Sequence, residues 1–468
     1  MPCVERSHTL LAAALVVAAL GAVLALRIVP LPWIRPPRRP NVILVTLDTV
    51  RADRLGGYGY ARDTSPRLDA FTRDAVRFDH AMTATTFTTP SHASILTGLY
   101  PAAHGALTNG WGLPPAAETL TKILADGGYE TAAFVAARWV LGRQFGFDQG
   151  FTTFEEGNKG PRTAEEITRG ALRFLDLVQE RSFFMWLHYY DAHCPYQPPA
   201  PFEQMFTEGI QSDLDTRGRC GKNSYNRIEL SDEDVRLVNG LYDGAIRYLD
   251  QHLGVLFTTL SRRGLLDGTI VVIVGDHGEE LHDRGSFGHN LTLYECETRV
   301  PLWIRLPGAR SSLPRPVEQP VSTVDIAPTI LQLVGLSSHG ALDGRSLVPL
   351  LGGDDSKGHP VQERWPPDRA VFSRIAPEEG SEDRVALRLG QWKLHLTVRT
   401  GHAELYDLGS DGSESVEISQ ERPEAREQLL GRAQSWLMRQ SQRLQTLQAQ
   451  AVSDEVREQL RALGYVNP

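Results

Sequence analysis

Two short stretches of this chain are apolar from end to end, and each stops at a carboxylate. Residues 41–47 (NVILVTL) run into Asp48, and residues 269–275 (TIVVIVG) run into Asp276 and His277. An apolar run this short, without alternation, is what a parallel strand covered on both faces requires; a strand with one wet face would carry polar residues at every second position. Parallel strands need crossover connections, usually helices, and open α/β sheets build their sites outside the carboxyl ends of the strands. The fold class is therefore expected to be α/β, with Asp48 and Asp276-His277 presented at one sheet edge. Between the two runs, residues 117–128, 163–180 and 231–263 read as helices. Ser231 followed by Asp232, Glu233 and Asp234 supplies an N-cap and charges that suit the positive end of a helix. Residues 183–189 (FFMWLHY) predict a third strand, and 300–305 a further apolar segment.

Beyond Asp325 the pattern changes. Residues 353–367 are rich in Gly, Pro and charge and read as a linker. After them, 370–372, 385–389, 392–396 and 403–408 predict short antiparallel strands, and 423–449 a polar helix. The expected division is a large domain at 41–352 and a small α+β subdomain at 368–468, which suits a chain of 468 residues. Ahead of both, Leu10 to Leu26 is uninterruptedly apolar, and residues 35–40 (RPPRRP) form a basic linker. A membrane span takes about 20 such residues, so 1–40 is expected to be a single-pass anchor or a cleaved signal, with the rest of the chain extracytoplasmic. The arginines after the run oppose that orientation by the positive-inside rule. A formal charge of −9 argues against nucleic acid as a partner. Cys3, Cys194, Cys220 and Cys296 are scattered, which indicates neither a disulfide framework nor a cysteine metal site.

The runs belong to a longer order of motifs: DTVRAD at 48–53 with GYG at 57–59, TTPSH at 88–92 closing with SILTGLYP at 94–101, GDHGE at 275–279 and ELYDL at 404–408. In this order, from residue 41 to about 437, the chain resembles the sulfatase family of the alkaline phosphatase superfamily. The resemblance implies an alkaline-phosphatase-like sandwich, a large mixed and mostly parallel sheet between helices, with a small C-terminal antiparallel sheet. It also implies a metal-dependent ester hydrolase. One position departs from the pattern. Sulfatases carry a Cys or Ser, converted to formylglycine, two residues before the proline of the signature; here that residue is Thr88. A secondary hydroxyl has no route to the aldehyde hydrate.

Displacement at phosphorus or sulfur needs an activated nucleophile, charge neutralisation on the non-bridging oxygens and help for the leaving oxygen. By the resemblance, Thr88 is the expected nucleophile, Asp48, Asp276 and His277 the metal ligands, and His193 and His92 further catalytic candidates. Thr49 stands where a sulfatase has a second aspartate, which weakens the case for calcium and brings zinc or manganese forward. The lysines that hold sulfate in the family are replaced, with Arg138 and Asn290 at those positions as candidates for substrate contact. His92 stands where the signature has arginine. The lost cations point to a second metal held among Asp191, His193 and His289, or else to His193 touching substrate directly. His188, His282 and His104 are expected to be structural.

A phosphothreonine ester can be opened by water near a metal, whereas a sulfothreonine lacks the elimination route of formylglycine. The expected activity is hydrolysis of phosphodiester, phosphonate or phosphate esters, on a small-molecule, glycan or lipid-linked anionic substrate, with one or two divalent ions. Three alternatives stand beside it. They are a sulfatase working without formylglycine, a transferase of phospho-head-groups at the cell envelope, and a silent glycan-binding protein.

Overall fold

In the computed structural model, β1 (Asn41–Leu47) occupies the middle of a seven-stranded sheet, as a strand apolar on both faces must. The structure describes residues 38–158, 160–178, 181–219, 225–290, 292–308, 316–352, 365–376, 382–445 and 450–451. The other strands of the sheet are β2 (Val76–Arg77), β3 (Glu130–Val135), β4 (Thr153–Glu155), β5 (Phe183–Tyr189), β6 (Thr269–Gly275) and β7 (Leu302–Arg305). Their order is β2-β7-β6-β1-β5-β3-β4. The five strands from β6 to β4 are mutually parallel, and β7 runs antiparallel to β6. All residues of β1, β5 and β6 are buried.

Three helices matter for the site. α1 (Thr88–Thr97) is buried at every position and ends at Gly98, whose φ of 69° gives the left-handed turn that glycine adopts without a Cβ penalty. α2 (Ala164–Leu177) starts with a capping box of Thr163 and Glu166. α3 (Asp232–Arg262) is 31 residues long and starts with the equivalent box of Ser231 and Asp234, the cap expected from its sequence. α2 packs against α3 and against β5.

The C-terminal part is an antiparallel sheet in the order β8 (Val371–Ile375), β9 (Arg384–Leu389), β10 (Trp392–Thr397), β11 (His402–Asp407), covered by α4 (Pro423–Gln445). Leu387, Leu394, Leu396 and Leu405 meet Leu429, Ala433 and Trp436 of α4, and Tyr100 from the large sheet's side joins the same apolar cluster. Residues from Pro40 onward form one compact unit, so the two sheets are layers of one body.

Some expectations fall outside the described residues: the apolar segment at 10–26 and residues 353–364 of the linker. Among the described residues no helix is long and apolar enough to cross a membrane. One expectation is corrected. Cys194 is disulfide-bonded although the cysteine spacing indicated no such bond. Bonding depends on Cα atoms coming within about 4.4–6.8 Å, which the fold decides and spacing does not.

Candidate active site

Strand register assembles the first part of the site. Leu47 pairs with Tyr189 on one side and Gly275 on the other, so Asp48 and Asp276 leave the sheet at the same level. Helix α1 is tied to this edge from beneath: Ser91 Oγ donates to the Asp276 carbonyl at 2.7 Å, and Thr83 Oγ1 donates to the same oxygen. The tie sets Thr88, the first residue of α1, with its hydroxyl 3.3 Å from His277 Nε2. Asp48, Asp276 and His277 form the one group of three or more ligand-type side chains, among the described residues, whose ligand atoms lie within 4.8 Å of one another.

The hydrogen bonds around these three assign which atoms are left for a ligand. Asp276 Oδ1 accepts from Thr49 N at 3.0 Å and His277 N at 2.7 Å, while Asp276 Oδ2 is buried with no hydrogen-bond partner. His188 Nε2 donates to Asp48 Oδ2 at 3.0 Å, and Asp48 Oδ1 is likewise without a partner. His277 Nδ1 donates to Gly278 O at 2.9 Å, so in the neutral ring that a cation would require Nε2 carries the lone pair, 3.4 Å from Asp276 Oδ2. A buried oxygen without a partner is rare because it loses its hydration for nothing. Two of them, beside an imidazole lone pair, fit a divalent cation.

The electrostatics agree. Burial pushes Asp48 up to about 7 against the pull of His277, and burial together with Asp48 pushes Asp276 up. His277 is raised, since Asp276 and Asp48 outweigh the effect of burial. Burial holds His92 down to about 3 and His188 down to about 4, with Asp276 opposing in both cases. Both are therefore neutral near pH 7. His92 replaces the signature arginine in position without replacing its charge: its Nδ1 donates to Thr88 O at 2.9 Å and lies 3.6 Å from Asp276 Oδ2.

The remaining expected residues separate into two groups. His193 and His289 come together, ring centroids 4.9 Å apart, and His289 lies 4.7 Å from His277, making a row of three imidazoles. His193 Nδ1 donates to Cys194 O at 2.6 Å, and burial, then His289, lowers its pKa well below the usual range. Asp191 does not join them in a ligand cluster. Its Oδ1 accepts from Ala164 N at 2.9 Å, at the first turn of α2, and burial pushes it up to about 7. Asn290 adopts a left-handed φ of 64° with its Oδ1 buried and unpartnered. The Arg138 guanidinium donates to Asn158 O at 3.3 Å.

Thr49 takes a left-handed φ of 57°, which costs a β-branched residue on the order of 1–3 kcal/mol. Its hydroxyl donates to Asp48 O and its carbonyl accepts from Tyr242 OH of α3, so it places no carboxylate in the site. Lys122 and Lys393 are both engaged in structural bonds, Lys122 with Pro115 O, Ala117 O and Gln149, and Lys393 with Glu295 and Thr298.

Two residues of the assembly, Glu279 and Arg51, were not singled out by sequence reasoning, and a third, His188, was expected to be only structural yet bonds Asp48. His188 orients Asp48. Glu279, fully buried, accepts from His289 Nδ1 at 2.9 Å. Arg51 donates to Glu279 O and to both Asp53 and Asp283, holding the 279–283 loop against the end of β1. Each lay inside a motif or strand already marked; a lone histidine in a strand covered on both faces was the readable signal for His188.

Ligand-type side chains at the carboxyl edge of a mostly parallel sheet, with a hydroxyl at a helix start against them, form a candidate metal-assisted hydrolase site. The sulfatase family model matches residues 40–336, and the chain belongs to that family; it is an ester hydrolase. A second model, the C-terminal part of N-sulphoglucosamine sulphohydrolase, matches residues 284–440. The ulvan-active sulfatase of Formosa agariphila is 25% identical over 410 residues, covering 80% of this chain and 76% of that protein. The multifunctional alkaline phosphatase superfamily protein PehA of Trinickia caryophylli is 25% identical over 400 residues, covering 67% and 77%. Among solved structures, a phosphonate monoester hydrolase from Silicibacter pomeroyi superposes with a TM-score of 0.70 at 23% identity, over 89% of this chain and all (100%) of that one. A 2-O glycosaminoglycan sulfatase superposes with a TM-score of 0.69 at 18% identity, over 90% and 96%. These two establish the alkaline-phosphatase-like sandwich expected from the motifs.

Proposed function

We propose that this protein hydrolyses phosphodiester, phosphonate or phosphate monoester substrates by direct attack of Thr88 Oγ1, with a divalent cation held by Asp48, Asp276 and His277. The observation that carries the reading is the Thr88 hydroxyl 3.3 Å from His277 Nε2, beside two buried carboxylate oxygens that have no other partner. When bound, the cation lowers the pKa of the hydroxyl and neutralises charge on the non-bridging oxygens. Thr88 Oγ1 forms the bond to phosphorus as the bond to the leaving oxygen breaks, and the proton that Oγ1 gives up goes to the leaving oxygen. Water then opens the phosphothreonine ester, supplying its hydroxyl to phosphorus and its remaining proton to Oγ1, so one water is consumed for each ester cleaved. Thr88 is the first residue of α1, so the positive end of that helix lies at the proposed nucleophile and favours an anionic substrate there. His193, with Nδ1 tied to Cys194 O, is the group for the substrate or the leaving oxygen, and Asn290 contributes a polar contact. His92 and Ser91 position Thr88 and Asp276. The disulfide at Cys194 supports an extracytoplasmic enzyme, for which the segment at 10–26 is the anchor or signal.

Sulfate ester hydrolysis is the second reading, favoured by similarity to a choline-sulfatase of Rhizobium meliloti, 32% identical over 199 residues (42% of this chain, 36% of that protein). Thr88 argues against it, because a sulfothreonine has no elimination route. Turnover of bis-p-nitrophenyl phosphate and of p-nitrophenyl phenylphosphonate, against p-nitrophenyl sulfate, separates the two for protein loaded with zinc, manganese or calcium. Preference for either phosphorus ester supports attack by Thr88. Preference for the sulfate ester overturns it.

A further inference from the structure

We infer that His188 is a positioning residue that decides which metal this site holds, by restricting Asp48 to a single ligand oxygen. The inference rests on the metal-site reading above and goes beyond it to selectivity. His188 Nδ1 accepts a hydrogen bond from Ala136 N at 3.2 Å, which assigns the proton to Nε2, and Nε2 donates to Asp48 Oδ2 at 3.0 Å. The ring has no freedom to turn away. It is fully buried, edge-on to His92 at 4.9 Å between ring centroids, and flanked by Trp186 and Tyr190. Asp48 Oδ2 is thus engaged by the protein and only Oδ1 is left without a partner.

The same arithmetic applies to the other two ligands. Asp276 Oδ1 takes two backbone N–H groups and leaves Oδ2, while His277 Nδ1 is tied to Gly278 O and leaves Nε2. Thr49, in place of a further carboxylate, turns its hydroxyl onto Asp48 O. Beside the Thr88 hydroxyl, the chain therefore offers two single carboxylate oxygens and one imidazole nitrogen. Calcium takes about six to eight oxygens and commonly a bidentate carboxylate. Zinc takes about three N/O protein ligands and keeps one position open. A bidentate Asp48 is the simplest way this site would move toward calcium, and the hydrogen bond from His188 opposes it.

The experiment measures affinity, by chelator competition, of the metal-stripped full chain for zinc, manganese and calcium, in wild type, His188→Leu, His188→Asn and His188→Gln, with circular dichroism as the check on folding. Wild type is expected to bind one zinc at this site, at least about 100-fold more tightly than calcium. His188→Leu is expected to lose about 10- to 100-fold in zinc affinity, as is usual when a group orienting a ligand is removed. The ratio of zinc to calcium affinity then falls at least tenfold. Glutamine can still donate to Oδ2 and is expected to recover part of the ratio. Asparagine, too short to reach, gives the same readout as leucine if His188→Leu does not fold. An unchanged ratio in a folded leucine or asparagine variant, or a wild type that prefers calcium, overturns the inference. A wild type that binds no metal overturns instead the reading on which it rests.

Discussion

Among the described residues, two clusters of buried charge are balanced in opposite ways. Between the large sheet and the C-terminal sheet, Lys393 Nζ lies 2.9 Å from Glu295 Oε1 and 3.2 Å from Glu414 Oε1, Arg388 reaches Glu295 Oε2 at 3.1 Å, and His395 reaches Glu414 Oε1 at 2.7 Å. Burial alone would push Glu295 up, but Lys393 and Arg388 outweigh it and hold it down to about 2; Glu414 is lowered in the same way. At the sheet edge, Asp48 and Asp276 are equally buried and move in the other direction, with one oxygen each lacking any partner. A buried carboxylate costs several kcal/mol unless something compensates it. The first cluster is closed by the chain's own cations, and the second has the electrostatic form of a site completed from outside the chain.

The largest effect expected is chemical. Thr88→Ala should reduce turnover by at least about 10⁴-fold while leaving metal content unchanged, measured by single-turnover kinetics beside metal analysis. Retained turnover would show that the hydroxyl beside His277 is not the nucleophile and that the sheet-edge site serves some other purpose.

The next test breaks the inner cluster. Lys393→Met removes the cation shared by Glu295 and Glu414 and should lower stability by about 3–5 kcal/mol in urea unfolding, because two buried carboxylates lose their main partner. Glu295 and Glu414 have depressed pKa values in the folded protein, so their stabilisation is present above the ordinary carboxylate range and is lost as pH falls toward about 2. The wild-type advantage over Lys393→Met should accordingly shrink on acidification. A variant as stable as wild type at pH 7 would mean the cluster contributes nothing that Met cannot replace.

The opposite sign is expected at the sheet edge. Asp48 has a raised pKa in the folded, metal-free protein, so its stabilising effect is present below about 4 and is lost as pH rises through about 7. Asp48→Asn should therefore stabilise metal-stripped protein by a few kcal/mol at pH 8 and change little at pH 4, while abolishing metal binding. That is on the order of 1.4 kcal/mol for each pKa unit. Destabilisation by Asp48→Asn at pH 8 would erase the contrast between the two regions. Ser91→Ala probes the smallest term, the 2.7 Å bond to the Asp276 carbonyl. Thr83 still donates to that oxygen, so a loss of about 1 kcal/mol in thermal unfolding is expected.

Much of the fold was legible because it is written in unbroken apolar runs. The predicted strands at 41–47, 183–189 and 269–275 coincide with β1, β5 and β6. Helix boundaries were recovered where capping chemistry is explicit, as at Ser231 and Asp234. The run at 300–305, read only as a further apolar segment, divides at Pro301, which has no N–H for a ladder, into the end of a two-residue strand at 299–300 and β7. Within the site, Asp48, Asp276 and His277 were readable as residues that end strands. His188 was readable only as a lone histidine in an apolar strand, and its part was not, since its partner lies 140 residues away. Asp191 sat in a motif rich in metal-ligand types; its Oδ1 accepts the Ala164 N–H at the start of α2, and its Oδ2 is buried with no hydrogen-bond partner.

The sequence by itself determined which residues arrive at the carboxyl edge of the sheet, because strand length, apolar coverage and the motif order leave little choice of class or level. Tertiary structure decided which atoms remain available there. Hydrogen bonds from Thr49 N and His277 N to Asp276, from His188 to Asp48, and from His277 Nδ1 to Gly278 O engage one oxygen or nitrogen of each of these three side chains and leave the other. It also decided that the buried charges of Lys393 and Glu295, distant in sequence, close on one another while those of Asp48 and Asp276 do not. Pairing of buried charges depends on distances of a few ångströms between side chains far apart along the chain, and only the packed fold sets those distances.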